Sequence, residues 1–248
     1  MVEYSLLPNA PITEALIDIR IKVRTDFDVN RLESLYDEIS TQYSAKKARH
    51  KIETKLEFKE GQPLVSEGKE KIDGYLFTSV DGKQIFQAAV DGFTFNRLRP
   101  YDKWEIFRNE AFRLWGLYRK LLSPEIIRVG LRYVNRLNIP LSAQHVFDFD
   151  DYLTAGPAVP KELPQGLSSF LTRIVINDPD IDSSGIITQA LDQIVDPKFV
   201  PIILDIDVFK QKEVITEEEA WHTLEQLRHF KNRIFFASIT NKAKELFQ

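Results

Sequence analysis

Alternating apolar and polar positions predict most of the strands in this chain. From Ile17 to Val23 the odd positions are all Ile or Val, while the even positions are charged. This period of two is typical of a strand with one buried and one solvated face. Asp81-Gly82 predicts a hairpin turn, and Asp91-Gly92 predicts a second turn or a bulge. Further strands are predicted at 51–59, 72–80, 84–98, 127–139, 170–177, 186–194 and 200–209.

Wide apolar stripes with helical spacing predict two long helices, over 102–122 and 216–240. Each is preceded by a pair of residues spaced as a capping box, Asp102 with Glu105 and Thr216 with Glu219. Trp104 and Trp221 lie in the first turns of the two stripes. We therefore expect both indole rings to be buried where each helix meets its sheet.

The order strand, helix, three or four strands, long helix occurs twice along the chain. It predicts an α+β fold of two similar β-α-β(3–4)-α halves, with antiparallel sheets backed by the long helices. The halves, 1–124 and 125–248, should pack as one unit, because each alone would leave a long sheet edge open. Coincidence is the alternative to a duplication, since α+β domains often repeat such elements. The stretch 154–169 contains three Pro and two Gly and predicts an exposed loop.

The composition of the chain excludes some classes of function. The chain has 248 residues, of which 43% are hydrophobic and 28% charged, the balance of a globular protein. Its net charge of −4 does not favour nucleic acid as a partner, although it is compatible with a local basic patch. The absence of cysteine excludes a disulfide scaffold and thiolate metal sites. The apolar runs are far shorter than the ~20 residues of a membrane span, and the first residues do not resemble a signal peptide. Both features predict a cytoplasmic protein without a membrane partner.

Arginine residues on predicted strands are the main candidates for binding. Arg128, Arg132 and Arg136 share one face of the 127–139 strand, each about 13 Å from the next at ~3.3 Å per residue. Arg97 and Arg99 share a face of another strand. Guanidinium groups bind phosphate and carboxylate in bidentate fashion. We therefore expect these arginines to gather on one surface and bind an anionic ligand or a partner protein.

Most aromatic residues have the spacing of core positions, which indicates packing. Tyr101 and Tyr133 lie next to the arginine-rich stretches and are candidate exceptions, and Tyr101 joins the candidate binding residues. The alternative for the whole arginine set is structural. On a solvated sheet face the arginines would form cross-strand ion pairs with Asp18, Asp205 and Asp207.

Asp205 and Asp207 lie on one strand face and are weak candidates for binding a divalent cation. They support an alternative function, a metal-dependent enzyme acting on a nucleotide or another phosphorylated substrate. The Gly-Ser turn that a nucleotidyltransferase places shortly before such a pair is absent here. No short motif in the chain indicates a cofactor.

Three stretches together resemble one bacterial family. Residues 7–15 read Leu-Pro-Asn-Ala-Pro-Ile-Thr-Glu-Ala, and 97–104 read Arg-Leu-Arg-Pro-Tyr-Asp-Lys-Trp. Residues 128–140 read Arg-Val-Gly-Leu-Arg-Tyr-Val-Asn-Arg-Leu-Asn-Ile-Pro, and 235–247 are similar to the family's closing helix. The family is that of sporadically distributed, uncharacterised bacterial proteins of about this length. The resemblance implies an accessory role, in keeping with defence against phage or plasmids, and implies no activity or catalytic residues.

Overall fold

Among the described residues, one antiparallel sheet of nine strands forms the framework of the protein. The computed structural model describes residues 7–23, 26–53, 56–59, 62–65, 69–141 and 147–248. The order of strands across the sheet is β2-β5-β6-β7-β1-β8-β11-β10-β9, and β3 and β4 form a separate hairpin. The strands are β1 (Ile12–Ile21), β2 (Ala45–Glu53), β3 (Leu56–Lys59), β4 (Gln62–Val65), β5 (Lys69–Thr78), β6 (Gln84–Ala89), β7 (Gly92–Leu98), β8 (Ile126–Pro140), β9 (Leu171–Asp178), β10 (Ser183–Leu191) and β11 (Phe199–Ile215).

This architecture confirms the predicted antiparallel α+β class, but with one continuous sheet instead of separate sheets. The two halves of the chain join in the middle of the sheet, because β1 pairs directly with β8 from Ile12 opposite Asn135 to Ile21 opposite Ile126. The predicted strand at 51–59 falls partly in β2 and partly in β3, and residues 54 and 55 lie outside the described residues. Residues 154–169 contain no helix or strand and are mostly exposed, as predicted.

In the part of the chain that the structure describes, four α-helices accompany the sheet: α1 (Leu35–Ile39), α2 (Trp104–Leu122), α3 (Glu217–Ser238) and α4 (Asn241–Glu245). Short 3₁₀ helices cover Val29–Ser34 and Phe149–Asp151. Among the helices of the described ranges, none combines the length and apolarity needed to cross a membrane.

The two predicted helix caps have different outcomes. The Thr216 side chain accepts a hydrogen bond from the Glu219 backbone N–H at 3.1 Å, which caps α3 as expected. The predicted cap of α2 is wrong, because its N-cap residue is Lys103, which makes no side-chain capping bond. The Asp102 carboxylate instead accepts a charge-assisted hydrogen bond from Arg97 at 2.7 Å.

The core lies between the helices and one face of the sheet. The odd-numbered residues of β1 from Ala15 to Ile21 are at most 2% exposed. Phe93 and Phe95 of β7 pack against Trp115 and Phe107 of α2, with ring centroids 5.6 and 5.4 Å apart. On the other half, α3 approaches β10 so closely that a Cβ at Gly185 would lie 3.0 Å from the Ile234 side chain.

Both tryptophans are buried as predicted, with Trp104 5% and Trp221 6% exposed. The Trp104 indole N–H donates to the Glu225 carboxylate on α3 at 3.0 Å. The Trp221 ring packs edge-on against Phe112 of α2, with centroids 4.8 Å apart. These contacts link the two long helices to each other, so they differ from the helix-to-sheet position that was expected.

Candidate anion-binding cavity

The face of the sheet away from the core carries the predicted arginines of β8, and each has a carboxylate partner. Arg128 donates to Asp18 at 2.7 Å and lies 3.3 Å from Asp207. Arg132 forms two hydrogen bonds with Asp205, at 2.8 and 2.6 Å. Arg136 donates to Asp192 at 2.7 Å and to Asn138 at 2.6 Å. This arrangement corresponds to the structural alternative, in which the arginines form ion pairs within the sheet.

Asp205 and Asp207 lie side by side on this face, as their spacing predicts. Burial raises the pKa of the Asp207 carboxyl, while the positive charges of Arg128 and Arg132 oppose that rise. Their carboxylate oxygens already accept hydrogen bonds from guanidinium groups. Within the described ranges, no group of three or more His, Asp or Glu residues is arranged to hold a metal ion. The geometry of this pair therefore favours ion pairing over metal binding.

The other two predicted arginines belong to the opposite side of the sheet. In the register of the sheet, Ala15 of β1 stands opposite both Arg97 of β7 and Tyr133 of β8. Arg97 therefore shares the helix-bearing face with Tyr133, whereas Arg132 points to the other face. Arg99, just past the end of β7, is exposed, and its backbone N–H donates to the Thr13 carbonyl. The five arginines thus do not share one surface.

A cavity of about 610 Å³ opens on the helix-bearing side. Its walls are the segment 7–12, the loop 99–105 and the part of α3 from 228 to 236, and Tyr133 and Asn135 of β8 contribute as well. Arg99 and Tyr101, two of the predicted binding residues, line it. All four stretches that carry the family resemblance contribute residues to this one cavity.

The cavity is positively charged, although the chain as a whole is acidic. Its charged lining residues are the cations Arg99, Lys103, Arg228 and Lys231 and the carboxylates Asp102 and Glu105. Asp102 is held by Arg97, and Arg228 makes only long contacts, 3.7 Å to Glu105 and 3.8 Å to Glu225. Across the part of the chain that the structure describes, Arg99, Lys103 and Lys231 have no carboxylate within ion-pair distance. Three basic side chains without a carboxylate partner among the described residues therefore line one cavity.

Lys231 is the most unusual of these cations. Its ammonium nitrogen lies 3.9 Å from the centre of the Tyr133 ring, and part of its side chain is open to the cavity. Burial lowers the pKa of Lys231 to about 7, and the nearby charge of Arg228 adds to this effect. Sequence reasoning missed this residue. The available signal was its place in the apolar stripe of α3, between Leu227 and Ile234.

Two tyrosine hydroxyls meet beside Lys231. The Tyr101 and Tyr133 oxygens are 2.7 Å apart, a hydrogen-bond distance. Burial raises the pKa of Tyr101 to about 12 and that of Tyr133 well above its usual value. Both hydroxyls therefore stay neutral near pH 7, and one of them can donate to a bound ligand.

The low pKa of Lys231 predicts a stability that depends on pH. Unfolding restores the pKa to about 10.4, so between pH 7 and 10 the unfolded chain binds the extra proton and the free energy of unfolding rises with pH. We expect Lys231→Met to flatten this rise, measured by urea denaturation at pH 6, 7, 8 and 9. If the free energy of unfolding rises equally with pH in the wild-type protein and in Lys231→Met, the lowered pKa of Lys231 is contradicted. The other titratable groups of the cavity are shared by both proteins: Arg99, Tyr101, Asp102, Lys103, Glu105, Tyr133 and Arg228.

Compared with known proteins, the chain matches no family model, and no curated protein matches it in sequence.

Proposed function

We propose that this protein binds a small anionic ligand in the cavity between the segment 7–12, the loop 99–105 and α3. One observation carries the proposal. The sheet-face arginines are paired with carboxylates, whereas Arg99, Lys103 and Lys231 face a shared cavity and have no such partner among the described residues. Guanidinium and ammonium groups that lack a carboxylate partner can hold an anion through charge-assisted hydrogen bonds.

The size and lining of the cavity suit a metabolite-sized ligand. Binding pockets for small molecules occupy about 300–1,000 Å³ and combine apolar walls with a few polar groups. Here the walls include Trp104 and Phe235, and the polar groups include the amides of Asn135 and Asn232. A binding module without catalysis of its own is the simplest function for such a site, and the cytoplasm its proposed location.

A thermal-shift titration with inorganic phosphate, citrate and a nucleoside triphosphate tests the proposal. At least one of these anions should raise the melting temperature of the wild-type protein. Arg99→Gln should weaken that anion's binding by about tenfold or more, since a charge-assisted hydrogen bond contributes roughly 1.5–3 kcal/mol. Arg99 is exposed and has no ion-pair partner within the described ranges, so this substitution should leave the melting temperature without anion unchanged.

Arg132→Gln is the matched control, because it removes the same charge from the sheet face. It should leave the affinity for the anion within about twofold of wild type. If Arg132→Gln weakens binding and Arg99→Gln does not, the ligand binds to the sheet face and the cavity proposal is wrong.

We also propose that the chain arose by duplication of one half and belongs with the bacterial family it resembles. Outward from the centre of the sheet, the first half has the order β1, β7, β6, β5 and the second half β8, β11, β10, β9. In each half, the strand next to the central pair leads into a long helix: β7 precedes α2, and β11 precedes α3. This shared order supports the proposal. Residues 12–123 and 127–240 should superpose strand on strand, and a different equivalence of strands would contradict it.

A further inference from the structure

The cavity that we propose as an anion site also contains an amine suited to covalent chemistry, and this inference rests on that proposed function. We propose that Lys231 forms an imine with an anionic aldehyde or ketone bound in the cavity. The ligand class is therefore a small molecule that carries both a carbonyl group and a phosphate or carboxylate.

The surroundings of Lys231 keep its amine reactive. A lysine becomes a nucleophile when a poorly solvated pocket or a neighbouring cation favours its neutral form. Both conditions hold here, since the amine lies over the Tyr133 ring and Arg228 lines the same cavity. In the described residues it has no carboxylate partner that would hold it as an ammonium ion. With a pKa of about 7, about three quarters of the side chains are neutral at pH 7.5, against ~0.1% for an ordinary lysine.

The other cavity residues supply the remaining parts of the reaction. Arg99 and Lys103 can hold the anionic group of the ligand near the loop 99–105. The hydroxyls of Tyr101 and Tyr133 stay protonated, and the one that does not donate within the pair can donate to the carbonyl oxygen. The site therefore offers an amine, a proton donor and an anchor for the anion in one cavity.

The proposed step is a condensation with loss of water. The lone pair of the Lys231 nitrogen attacks the carbonyl carbon, a C–N bond forms, and the π electrons of the carbonyl group move to its oxygen. The nitrogen loses one proton and the oxygen gains one, which gives a carbinolamine. The oxygen then takes up a second proton and leaves as water while the nitrogen lone pair forms the C=N bond, and loss of the remaining N–H proton gives the imine. One amine and one carbonyl group thus yield one imine and one water, without an oxidant or reductant.

Trapping with borohydride tests this proposal. The full-length protein is incubated at pH 7.5 with substoichiometric pyridoxal 5′-phosphate, an anionic aldehyde, or with glyoxylate, then reduced and mapped by peptide mass spectrometry. We expect Lys231 to be modified at least about tenfold more than Lys103, which lines the same cavity but is exposed. Pyridoxal, which lacks the phosphate, should modify Lys231 much less. Modification of Lys231 no greater than that of Lys103 by either anionic probe would overturn the proposal.

Two variants separate this proposal from anion binding itself. Lys231→Arg places a permanent cation at this position but cannot form an imine, and Lys231→Met serves if the arginine variant does not fold. If phosphate still stabilises the wild-type protein but no adduct forms at Lys231, the imine is wrong and the anion site stands. If Arg99→Gln leaves both labelling and phosphate binding unchanged, the proposed anion site fails as well.

Discussion

Replacing Trp104 by alanine is expected to lower the free energy of unfolding by about 3–5 kcal/mol, the usual cost of truncating a buried aromatic side chain. The ring is 5% exposed and lies 6.1 Å from Phe107, centroid to centroid. Its N–H also bonds to Glu225, so the substitution removes a link between α2 and α3 and leaves that carboxylate with fewer partners. Urea denaturation monitored by circular dichroism measures the change.

Trp104→Phe separates the two contributions of this side chain. It keeps most of the buried apolar area but removes the hydrogen-bond donor, so we expect a smaller loss of about 1–3 kcal/mol. A Trp104→Ala variant that is as stable as wild type would show that the helix pair is not held by this contact.

The second large effect is expected on the open face of the sheet. Arg128→Met removes the guanidinium between Asp18 of β1 and Asp207 of β11, the strands on either side of β8. Breaking a fully buried pair costs about 3–5 kcal/mol, and these carboxylates are partly exposed, so we expect a loss of about 2–3 kcal/mol at pH 7. Asp18 keeps its bonds to Arg20 and Thr94, which limits the effect.

The free energy of unfolding of Arg128→Met should also depend more strongly on pH than that of the wild-type protein. The pKa of Asp207 is already raised by burial, and Arg128 opposes the rise, so removing Arg128 raises it further. A carboxyl whose folded pKa lies above its unfolded value makes stability fall as the pH rises between the two values. The destabilisation by Arg128→Met should therefore be smaller at pH 4 than at pH 7. Adding Asp207→Asn should restore part of the stability, and a double variant no more stable than Arg128→Met would contradict this explanation.

Local patterns predicted the elements of this fold but not how they meet. The alternation in β1 and the Asp81-Gly82 turn depend on neighbouring residues, so a single sequence contains that information. Whether Arg97 and Arg132 lie on the same face of the sheet depends on the register of β7, β1 and β8. A shift of one strand by one residue would move its side chains to the opposite face. Sequence alone therefore did not show that these arginines lie on opposite sides.

The cavity illustrates the same limit. Arg99 and Tyr101 were among the predicted binding residues because of their neighbours in the chain. Lys231 comes from a helix more than 120 residues later, and only the packing of α3 beside β8 brings it to Tyr133. A lysine within an apolar helical stripe is a usable signal for such a residue, but it does not reveal the partners.

Locating a bound anion in a crystal tests most directly whether anions bind in the cavity or on the sheet face. Crystals soaked in tungstate and measured at a tungsten absorption edge would locate it by anomalous scattering. We expect the strongest peak inside the cavity, within hydrogen-bond reach of Arg99 or Lys231, and a much weaker peak there in Arg99→Gln crystals. A peak confined to the sheet face beside Arg128, Arg132 or Arg136, with an empty cavity, would contradict the proposed function.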